Sequence, residues 1–254
     1  MKLRNPDQAS ARIVGIAERY RESDVASHTH ARAQIMYAVS GAMKVFTEMG
    51  SWVLPPNRAL WVPPGLAHGQ RMRGTVELRT LYVAPGMRGM PKWTTCAVLD
   101  VPPLLRELIV ALVSADWHYG RDTAEARLGR VLLDRLLTVA QQSVYLPEPR
   151  DVRARRFSAH MHAHVNDRRP LAAIAREAGL SARTIERLFR LETGMSVGAW
   201  TQQLRLVLAL EKLAAGQSVG DAAFEVGYSN PSSFIAVFRT AFGVTPSRYF
   251  ADAD

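Results

Sequence analysis

Two kinds of hydrophobic pattern divide this 254-residue chain. Between residues 25 and 84, short β-prone runs such as QIMYAVSG and ALWVPPG alternate with Gly, Pro and Asn at close spacing. Runs of this kind are typical of the strands of an all-β barrel or sandwich. After residue 102 the apolar residues recur at helical spacing almost to the end. The pattern therefore predicts an α+β protein, with a β-barrel first and helices after it.

Two amphipathic helices are predicted between residues 102 and 142. Their apolar stripes comprise Leu105, Leu108, Ile109, Leu112 and Val113 in the first helix and Leu128, Leu132, Leu136 and Ala140 in the second, where Arg135 interrupts the stripe. Such helices either pack against the barrel or pair with their copies in a second subunit. The residues leave both arrangements open.

The helical part contains one unit twice, as AREAGLSARTIERLFRLETG at 175–194 and as AFEVGYSNPSSFIAVFRTAFG at 223–243. In each copy a short helix is followed by a glycine, Gly179 or Gly227, which suits the left-handed residue that ends a helix. Ser181 is an N-cap for the second helix of the first copy, and Ser229 or Asn230 serves the second copy. Each copy therefore predicts a helix-turn-helix, over residues 171–191 and 219–241.

The two units are joined by SVGAWTQQLRLVLALEKLAAG, which predicts one continuous helix of about 18 residues, roughly 27 Å long at 1.5 Å per residue. Successive major grooves of a DNA duplex lie roughly 34 Å apart. A rigid spacer of this size could place the second helix of each unit, here called the recognition helix, in adjacent grooves. A single chain could then contact both.

The outward face of each recognition helix carries side chains that suit DNA. They are Arg183, Thr184, Arg187 and Arg190 in the first unit, and Asn230, Ser232, Ser233 and Arg239 in the second. Arginine pairs with the O6 and N7 atoms of guanine, whereas Ser, Thr and Asn bond to bases or phosphates. A solvated helical hairpin has similar residues, but two such units joined by one helix favour double-stranded DNA as the partner.

At these residues the chain resembles the DNA-binding domain of the AraC/XylS family of transcription regulators, over about residues 155 to 250. The motif from GYSNPSSF to the closing TPSRY carries much of this resemblance. It implies that Arg183, Thr184 and Arg187 face bases in one groove and that Ser232 and Ser233 face the next. Ala236 replaces a polar residue that is frequent in the family.

The first part of the chain carries two cupin signatures. His28, His30, Gln34 and Gly41 match the spacing of the first signature, and PPGLAH at 63–68, ending at His68, matches the second. Histidines two apart on a strand point to the same face. Together with Gln34 and His68 they could complete a site for a divalent transition metal. Gln34 stands where metal-dependent cupins usually have Glu, so a metal-free barrel whose side chains bind an effector is the alternative.

Two further groups of residues are candidates for ligand contact. Met36, Tyr37, Trp52 and Trp61 could line an effector pocket, although such residues more often form the core. His160 and His164 lie one helical turn apart and could share a metal. The stretch AHMHAHVND is predicted on the first helix of the DNA-binding domain, and its histidines are expected to face solvent or phosphate.

Charge and composition agree with an intracellular DNA-binding protein. The formal net charge is +9, which favours an anionic partner. The single cysteine, Cys96, excludes an intramolecular disulfide framework and a Cys-based zinc finger. No apolar stretch approaches the roughly 18 residues of a membrane span, and the start lacks the core of a signal peptide. The cytoplasm is the expected compartment, without membrane contact.

These observations predict four parts: a cupin-like sensor barrel at 1–100, a helical pair at 101–145, a linker at 146–156 and a DNA-binding domain at 157–254. The expected function is a sequence-specific transcriptional regulator controlled by a small-molecule or metal effector. Resemblance of the barrel segment to the NimR/RipA-type subgroup implies a repressor, and the family's architecture implies a homodimer. The alternatives are a metal-dependent cupin enzyme with a helical appendage and a nonspecific basic DNA coat.

Overall fold

The computed structural model describes residues 5–56, 58–139, 141–142 and 145–251. The described residues form two compact units. The first unit takes residues 5–47 and 54–142, and the second takes residues 48–53 and 145–251. Strands dominate the first unit and helices the second, so the predicted α+β class is confirmed. In the described ranges no helix is long and apolar enough to cross a membrane.

The first unit contains an antiparallel sheet of six strands and a second sheet packed from shorter strands. The strands of both units, in chain order, are β1 Ile13–Tyr20, β2 Ser23–His28, β3 Ala33–Ser40, β4 Met43–Thr47, β5 Gly50–Leu54, β6 Arg58–Val62, β7 His68–Met72, β8 Val76–Val83, β9 Ala97–Asp100, β10 Gln141–Gln142 and β11 Tyr145–Pro147. Strand β11 and residues 50–53 of β5 belong to the second unit. The six-stranded sheet has the order β1-β8-β3-β6-β9-β10, and in the second sheet the strands β4, β7 and β2 are neighbours in that order. A short 3-10 helix, Pro6–Gln8, precedes β1.

Two helices cover one face of the six-stranded sheet, and their apolar stripes are as predicted. They are α1 Pro103–Val113 and α2 Ala124–Leu136. Leu105, Leu108, Ile109 and Leu112 of α1 are buried, as are Leu132 and Leu136 of α2, in one cluster with residues of the sheet. Ala140, the last residue of the second predicted stripe, lies outside the described residues. The cluster burying these side chains is the core of the first unit.

The prediction of a closed barrel was wrong, because no hydrogen-bonded strand pair joins the two sheets among the described residues. The outer edge of β1 is covered by the loop between α1 and α2. Tyr119 Oη accepts from the Ile13 amide at 3.2 Å and donates to the Ile13 carbonyl at 2.7 Å, and Trp117 Nε1 donates to the Gly15 carbonyl at 3.0 Å. Side chains thus form hydrogen bonds with the edge backbone groups of β1 that a neighbouring strand would otherwise have paired.

The second unit is helical, with one small strand pair. Its helices are α3 Val152–Ala163, α4 Leu171–Glu177, α5 Ala182–Thr193, α6 Val197–Ala214, α7 Val219–Glu225, α8 Pro231–Phe242 and α9 Pro246–Ala251. Strand β11 pairs antiparallel with β5, with Tyr145 opposite Trp52. Its last two residues are the first two of the segment expected to be a linker. Trp200 Nε1 of α6 donates to the Pro147 carbonyl at 2.6 Å. Both helix-turn-helix units and the 18-residue helix between them are therefore confirmed.

Candidate DNA-binding surface and histidine cluster

The first recognition helix, α5, begins and ends at the residues that the sequence indicates. Ser181 Oγ accepts a hydrogen bond from the Thr184 amide at 3.1 Å, which satisfies one of the free N–H groups of the first turn. Gly179 before the helix has φ +77° and Gly194 after it has φ +74°. The helix is thus fixed at both ends by local chemistry.

The second recognition helix, α8, has an asparagine cap. Asn230 Oδ1 accepts from the Ser233 amide at 2.8 Å, and Pro231 occupies the first helical position. Gly227 in the preceding turn has φ +93°, and a Cβ there would lie 3.2 Å from Asn166 Cα. Glycine is therefore required both by the backbone conformation and by the close approach of the chain.

Each recognition helix is held by its own aromatic cluster. The Phe189 ring of α5 meets Phe157 and Trp200 with 5.5 and 5.2 Å between ring centroids. The Phe238 ring of α8 meets Phe234 and Tyr249 at 5.7 and 5.5 Å. These edge-on contacts fix the rotation of each helix, so that one face is buried and the opposite face is exposed.

Small residues let the paired helices approach closely. Ala175 of α4 and Ala223 of α7 occupy the same position in the two helix-turn-helix units, and both are completely buried. Ile185 and Leu188 complete the buried face of α5. On α8, Val237 is only half-buried.

The structure places all eight predicted DNA contacts on the recognition helices or at their N-cap. Arg183, Arg187, Arg190, Asn230, Ser232, Ser233 and Arg239 are exposed, and Thr184 is half-buried. Several of these groups have partners: the Thr184 hydroxyl bonds to Ser181 Oγ at 2.8 Å, and Arg190 lies 3.8 Å from the Glu186 carboxylate. Within the described ranges Arg183 and Arg187 have no carboxylate partner, so their guanidinium groups are available to an anionic or base ligand.

The sequence analysis did not single out one residue of the helix that joins the two helix-turn-helix units. Arg205 of α6 has its guanidinium carbon 5.7 Å from the centroid of the Tyr228 ring, a cation–π distance. The Arg205 guanidinium lies beside the turn of the second helix-turn-helix unit: a Cβ added at Gly227 would be 3.3 Å from Arg205 Nη2. The apolar pattern of α6 indicates only that Arg205 lies outside the buried face of the helix. The sequence therefore carries no signal that Arg205 contacts Tyr228.

The sequence predicted that the histidines at 160, 162 and 164 face solvent or phosphate. In the structure, two of them are bonded to carboxylates instead. His160 Nε2 lies 2.8 Å from Asp167 Oδ2, and His162 Nε2 lies 2.7 Å from Glu148 Oε1. The Arg169 guanidinium beside Asp167 holds the pKa of that carboxyl well below its usual range. These histidines therefore belong to hydrogen-bonded pairs within the second unit. Only His164 is exposed.

In the first unit, the predicted metal ligands converge. His28 ends β2 and His68 begins β7, and the two residues face each other in the strand pair. One ring nitrogen from each of His28, His30 and His68 lies within 4.8 Å of the other two. Gln34 Oε1 of β3 lies 2.9 Å from His68 Nε2 and 3.1 Å from His30 Nε2. The structure thus brings the four residues of the two cupin signatures together.

Backbone carbonyls fix the tautomer of each histidine. The Nδ1 atoms of His28, His30 and His68 lie 3.0, 2.5 and 2.8 Å from the carbonyl oxygens of residues 26, 32 and 66. Because a carbonyl only accepts, each Nδ1 carries the proton and each neutral ring keeps its lone pair on Nε2. Burial lowers the pKa of His68 to about 4, so this ring is neutral at pH 7. This is the outer-shell pattern that orients histidines toward a metal ion.

The Gln34 amide decides how the cluster is satisfied. With Oε1 toward the rings, an acceptor faces two acceptor lone pairs, an arrangement that a divalent cation among them would stabilise. With the amide turned over, its NH₂ group donates to both rings, and Oε1 accepts from the Tyr82 hydroxyl, which lies 3.3 Å from the amide nitrogen. The donor set therefore fits a metal ion and also fits a neutral cluster without one.

The cluster opens into a cavity of about 520 Å³, within the range of small-molecule sites. Asp7, Glu18, Tyr20, Gln70 and Tyr82 line it, and the described lining residues include no Lys or Arg. The sequence prediction missed these residues. Period-2 alternation along β8 was the available signal, because Leu78, Thr80 and Tyr82 all line the cavity.

The large side chains proposed as alternative pocket residues belong to the core. Tyr37 and Trp61 are fully buried against α1 and α2, and Met36 is fully buried in β3. Trp52 stacks on Tyr145 with 4.7 Å between ring centroids. None of the four lines the histidine cavity, so the core interpretation was the better one.

Comparison with known proteins matches both units. Residues 10–130 match the AraC-like ligand binding domain, and residues 174–252 match a helix-turn-helix domain. The chain is 34% identical over 224 residues to the HTH-type transcriptional regulator NimR of Escherichia coli strain K12, covering 88% of this chain and 81% of NimR. It is 32% identical over 131 residues to the HTH-type transcriptional regulator RipA of Corynebacterium glutamicum, covering 52% of this chain and 38% of RipA. The match to the ligand binding domain includes the histidine cluster, and the match to the helix-turn-helix domain includes both recognition helices.

Proposed function

The chain belongs to the AraC family of helix-turn-helix transcriptional regulators, and from this premise we propose that α5 and α8 recognise bases in adjacent major grooves while the histidine cavity binds the controlling effector. The observation that carries this proposal is the pair of capped, separately anchored recognition helices joined by the 18-residue helix α6. A helix of that length spans roughly 27 Å, close to the groove spacing of roughly 34 Å.

The two recognition helices have different chemistry, which supports selective binding. Arginines dominate the exposed face of α5, whereas Ser232 and Ser233 begin α8. Guanidinium groups prefer guanine edges, and short hydroxyl side chains bond to several bases or to phosphate. We expect the half-site contacted by α5 to carry most of the sequence preference and the half-site contacted by α8 to carry less.

Selection from random duplexes followed by hydroxyl-radical footprinting tests this function. The expected result is a preferred site with two protected segments about 10 base pairs apart, one helical turn. Salt-dependent binding without a preferred sequence would contradict the proposal and favour a nonspecific DNA coat.

For the effector, the histidine cluster supports a divalent transition metal held by His28, His30, His68 and the Gln34 carbonyl, or a small molecule bound in the cavity beside them. Imidazole ligands suit Zn, Cu, Fe or Ni. Elemental analysis of protein purified without added metal, compared with His28→Ala/His68→Ala protein, distinguishes the two. A metal content that is equal in both proteins excludes the metal effector.

The curated relatives are regulators, so the enzyme alternative is not supported.

We also propose a repressor that acts as a homodimer. Resemblance to the NimR/RipA-type subgroup supports repression. The exposed side chains of Leu104 and Val110 on α1, Val131 on α2 and Leu137 after it support self-association through the helical pair. A reporter that rises on deletion of the gene tests repression, and sedimentation equilibrium of wild-type and Leu104→Ser/Leu137→Ser protein tests the dimer. A reporter that falls would indicate an activator, and a monomeric wild type would exclude the dimer.

A further inference from the structure

The first unit contains a second cavity, separate from the histidine cavity. It measures about 620 Å³ and is formed where four segments meet: the residues before β1, the loop after β8, the loop between α1 and α2, and one face of α2. Among the described residues, none lines both cavities. The second cavity is within the size range of small-molecule sites, so its chemistry indicates what it binds.

Four arginines line this cavity: Arg12, Arg88, Arg121 and Arg130. In the part of the chain that the structure describes, none of the four pairs with a carboxylate, and no Asp or Glu is among the described lining residues. Four like charges around one concavity repel each other, and a bound anion relieves that repulsion. Guanidinium groups also match the geometry of carboxylate and phosphate oxygens.

The walls of the cavity are fixed by hydrogen bonds. Arg12 Nη2 donates to the Pro85 carbonyl at 3.0 Å, and Ser10 Oγ lies 3.0 Å from His118 Nδ1. Arg32, which is buried, donates to the carbonyls of residues 9, 11 and 12 and so holds the segment before β1 in place. A site with fixed walls loses little entropy when it binds a ligand.

The cavity also has an apolar side. Ile13, Met87, Ala126 and Gly129 are also among the lining residues. A free inorganic anion would leave this surface uncovered, whereas a small organic anion would cover it. A DNA backbone would not contact apolar residues in a concavity, because its phosphates lie on the outside of the duplex.

From these observations we propose that the arginine-lined cavity is a second ligand site, which binds a small organic oxyanion with a carboxylate or phosphate group and an apolar body. The histidine cavity has the opposite charge preference, because its described lining residues include Asp7 and Glu18 but no Lys or Arg. The domain thus carries one cavity suited to a cation and one suited to an anion, and the second site does not depend on what the first one holds.

Isothermal titration of the full-length protein at constant ionic strength tests the site. Phenyl phosphate and benzoate are the probes, with inorganic phosphate and benzyl alcohol as the head-group and apolar-body controls. The test variant is Arg121→Gln/Arg130→Gln, whose side chains are exposed and so are not needed for folding. The matched control is Arg127→Gln/Arg135→Gln, which removes the same amount of charge at exposed positions of α2 that do not line the cavity.

We expect at least one organic anion to bind wild-type and control protein equally and to bind the test variant about tenfold more weakly or worse, since a charge-assisted hydrogen bond is worth roughly that factor. Equal affinity in all three proteins, or no saturable binding of either organic anion to the wild type, would overturn the proposal. Inorganic phosphate binding as tightly as phenyl phosphate would overturn the organic-anion assignment. A test variant that loses only DNA affinity would assign these arginines to DNA instead.

Discussion

Gln34 Oε1 lies 2.9 Å from His68 Nε2, with the lone pair of that nitrogen directed at the amide. The same oxygen lies 3.1 Å from His30 Nε2. One neutral amide therefore controls whether three histidines form a metal site or a hydrogen-bonded cluster. A carboxylate at this position would remove the second possibility, because it has no donor at neutral pH.

Gln34→Glu is expected to raise the affinity for Zn²⁺ or Ni²⁺ by about 10- to 100-fold, since it adds a negative charge at ligand distance from the histidines. Competition with a chromophoric chelator measures the change. Gln70→Glu is the matched control, because Gln70 lines the same cavity without bonding to the histidine rings. Unchanged affinity in the Gln34 variant would mean that its side chain does not face the metal.

Arg187→Ala is expected to cost roughly 1 to 3 kcal/mol of binding free energy at the preferred site and to relax the base preference at one position. Quantitative selection with wild-type and variant protein measures both effects. Arg176→Ala, at an exposed position on α4, removes the same charge outside the recognition helix. It should weaken binding to all sequences alike. An unaltered base preference in the Arg187 variant would remove it from the set of base contacts.

Asn230→Ala is expected to lower the free energy of unfolding by about 1 kcal/mol, because it removes the acceptor for the Ser233 amide at the start of α8. Urea denaturation monitored by circular dichroism gives the value. Asn230→Asp keeps an acceptor and should retain most of the stability. If both variants are as stable as the wild type, the asparagine is free for a different role.

The metal-free protein is expected to lose stability as the pH falls from about 6.5 to about 4. Burial lowers the pKa of folded His68 to about 4, whereas an imidazole in the unfolded chain has its ordinary pKa of 6.5. Between these values the unfolded chain binds the additional proton. The stabilisation is therefore complete above pH 6.5 and is lost on acidification, on the order of 3 kcal/mol in all.

Urea denaturation in the presence of a chelator, at a series of pH values, measures this loss. His68→Gln protein is the comparison, because it has no group to titrate at this position. Its stability should depend less on pH over the same interval. If the free energy of unfolding of the two proteins depended on pH in the same way, the loss of stability in acid would come from groups other than His68.

The helical unit was predictable from sequence because its determinants are local. Ser181, Gly194, Pro231 and Gly243 each specify a helix end through their own side chain or backbone, and a lone sequence shows them directly. The spacing of His28 and His30 predicted a shared strand face, but β2 ends at His28 and His30 lies after the strand, so it is the tertiary fold that brings the two rings together. In the helical unit the structure adds distances but does not change the interpretation.

The parts that could not be predicted depend on contacts between distant segments. Tyr119 covers the edge of β1 across about a hundred residues, and no short motif announces such a contact. The arginine-lined cavity has the same origin, because each of its four segments contributes one lining arginine and only the fold brings them together. Such features follow from tertiary packing rather than from local preference.

The pairing of β5 with β11 has a practical consequence for dissecting this regulator. Six residues from early in the chain, 48–53, belong to the same compact unit as the recognition helices, and the Pro147 carbonyl accepts the indole proton of Trp200. No single cut in the polypeptide separates the two units. A fragment that starts after residue 147 leaves the indole proton of Trp200 without its acceptor, next to the cluster that orients α5.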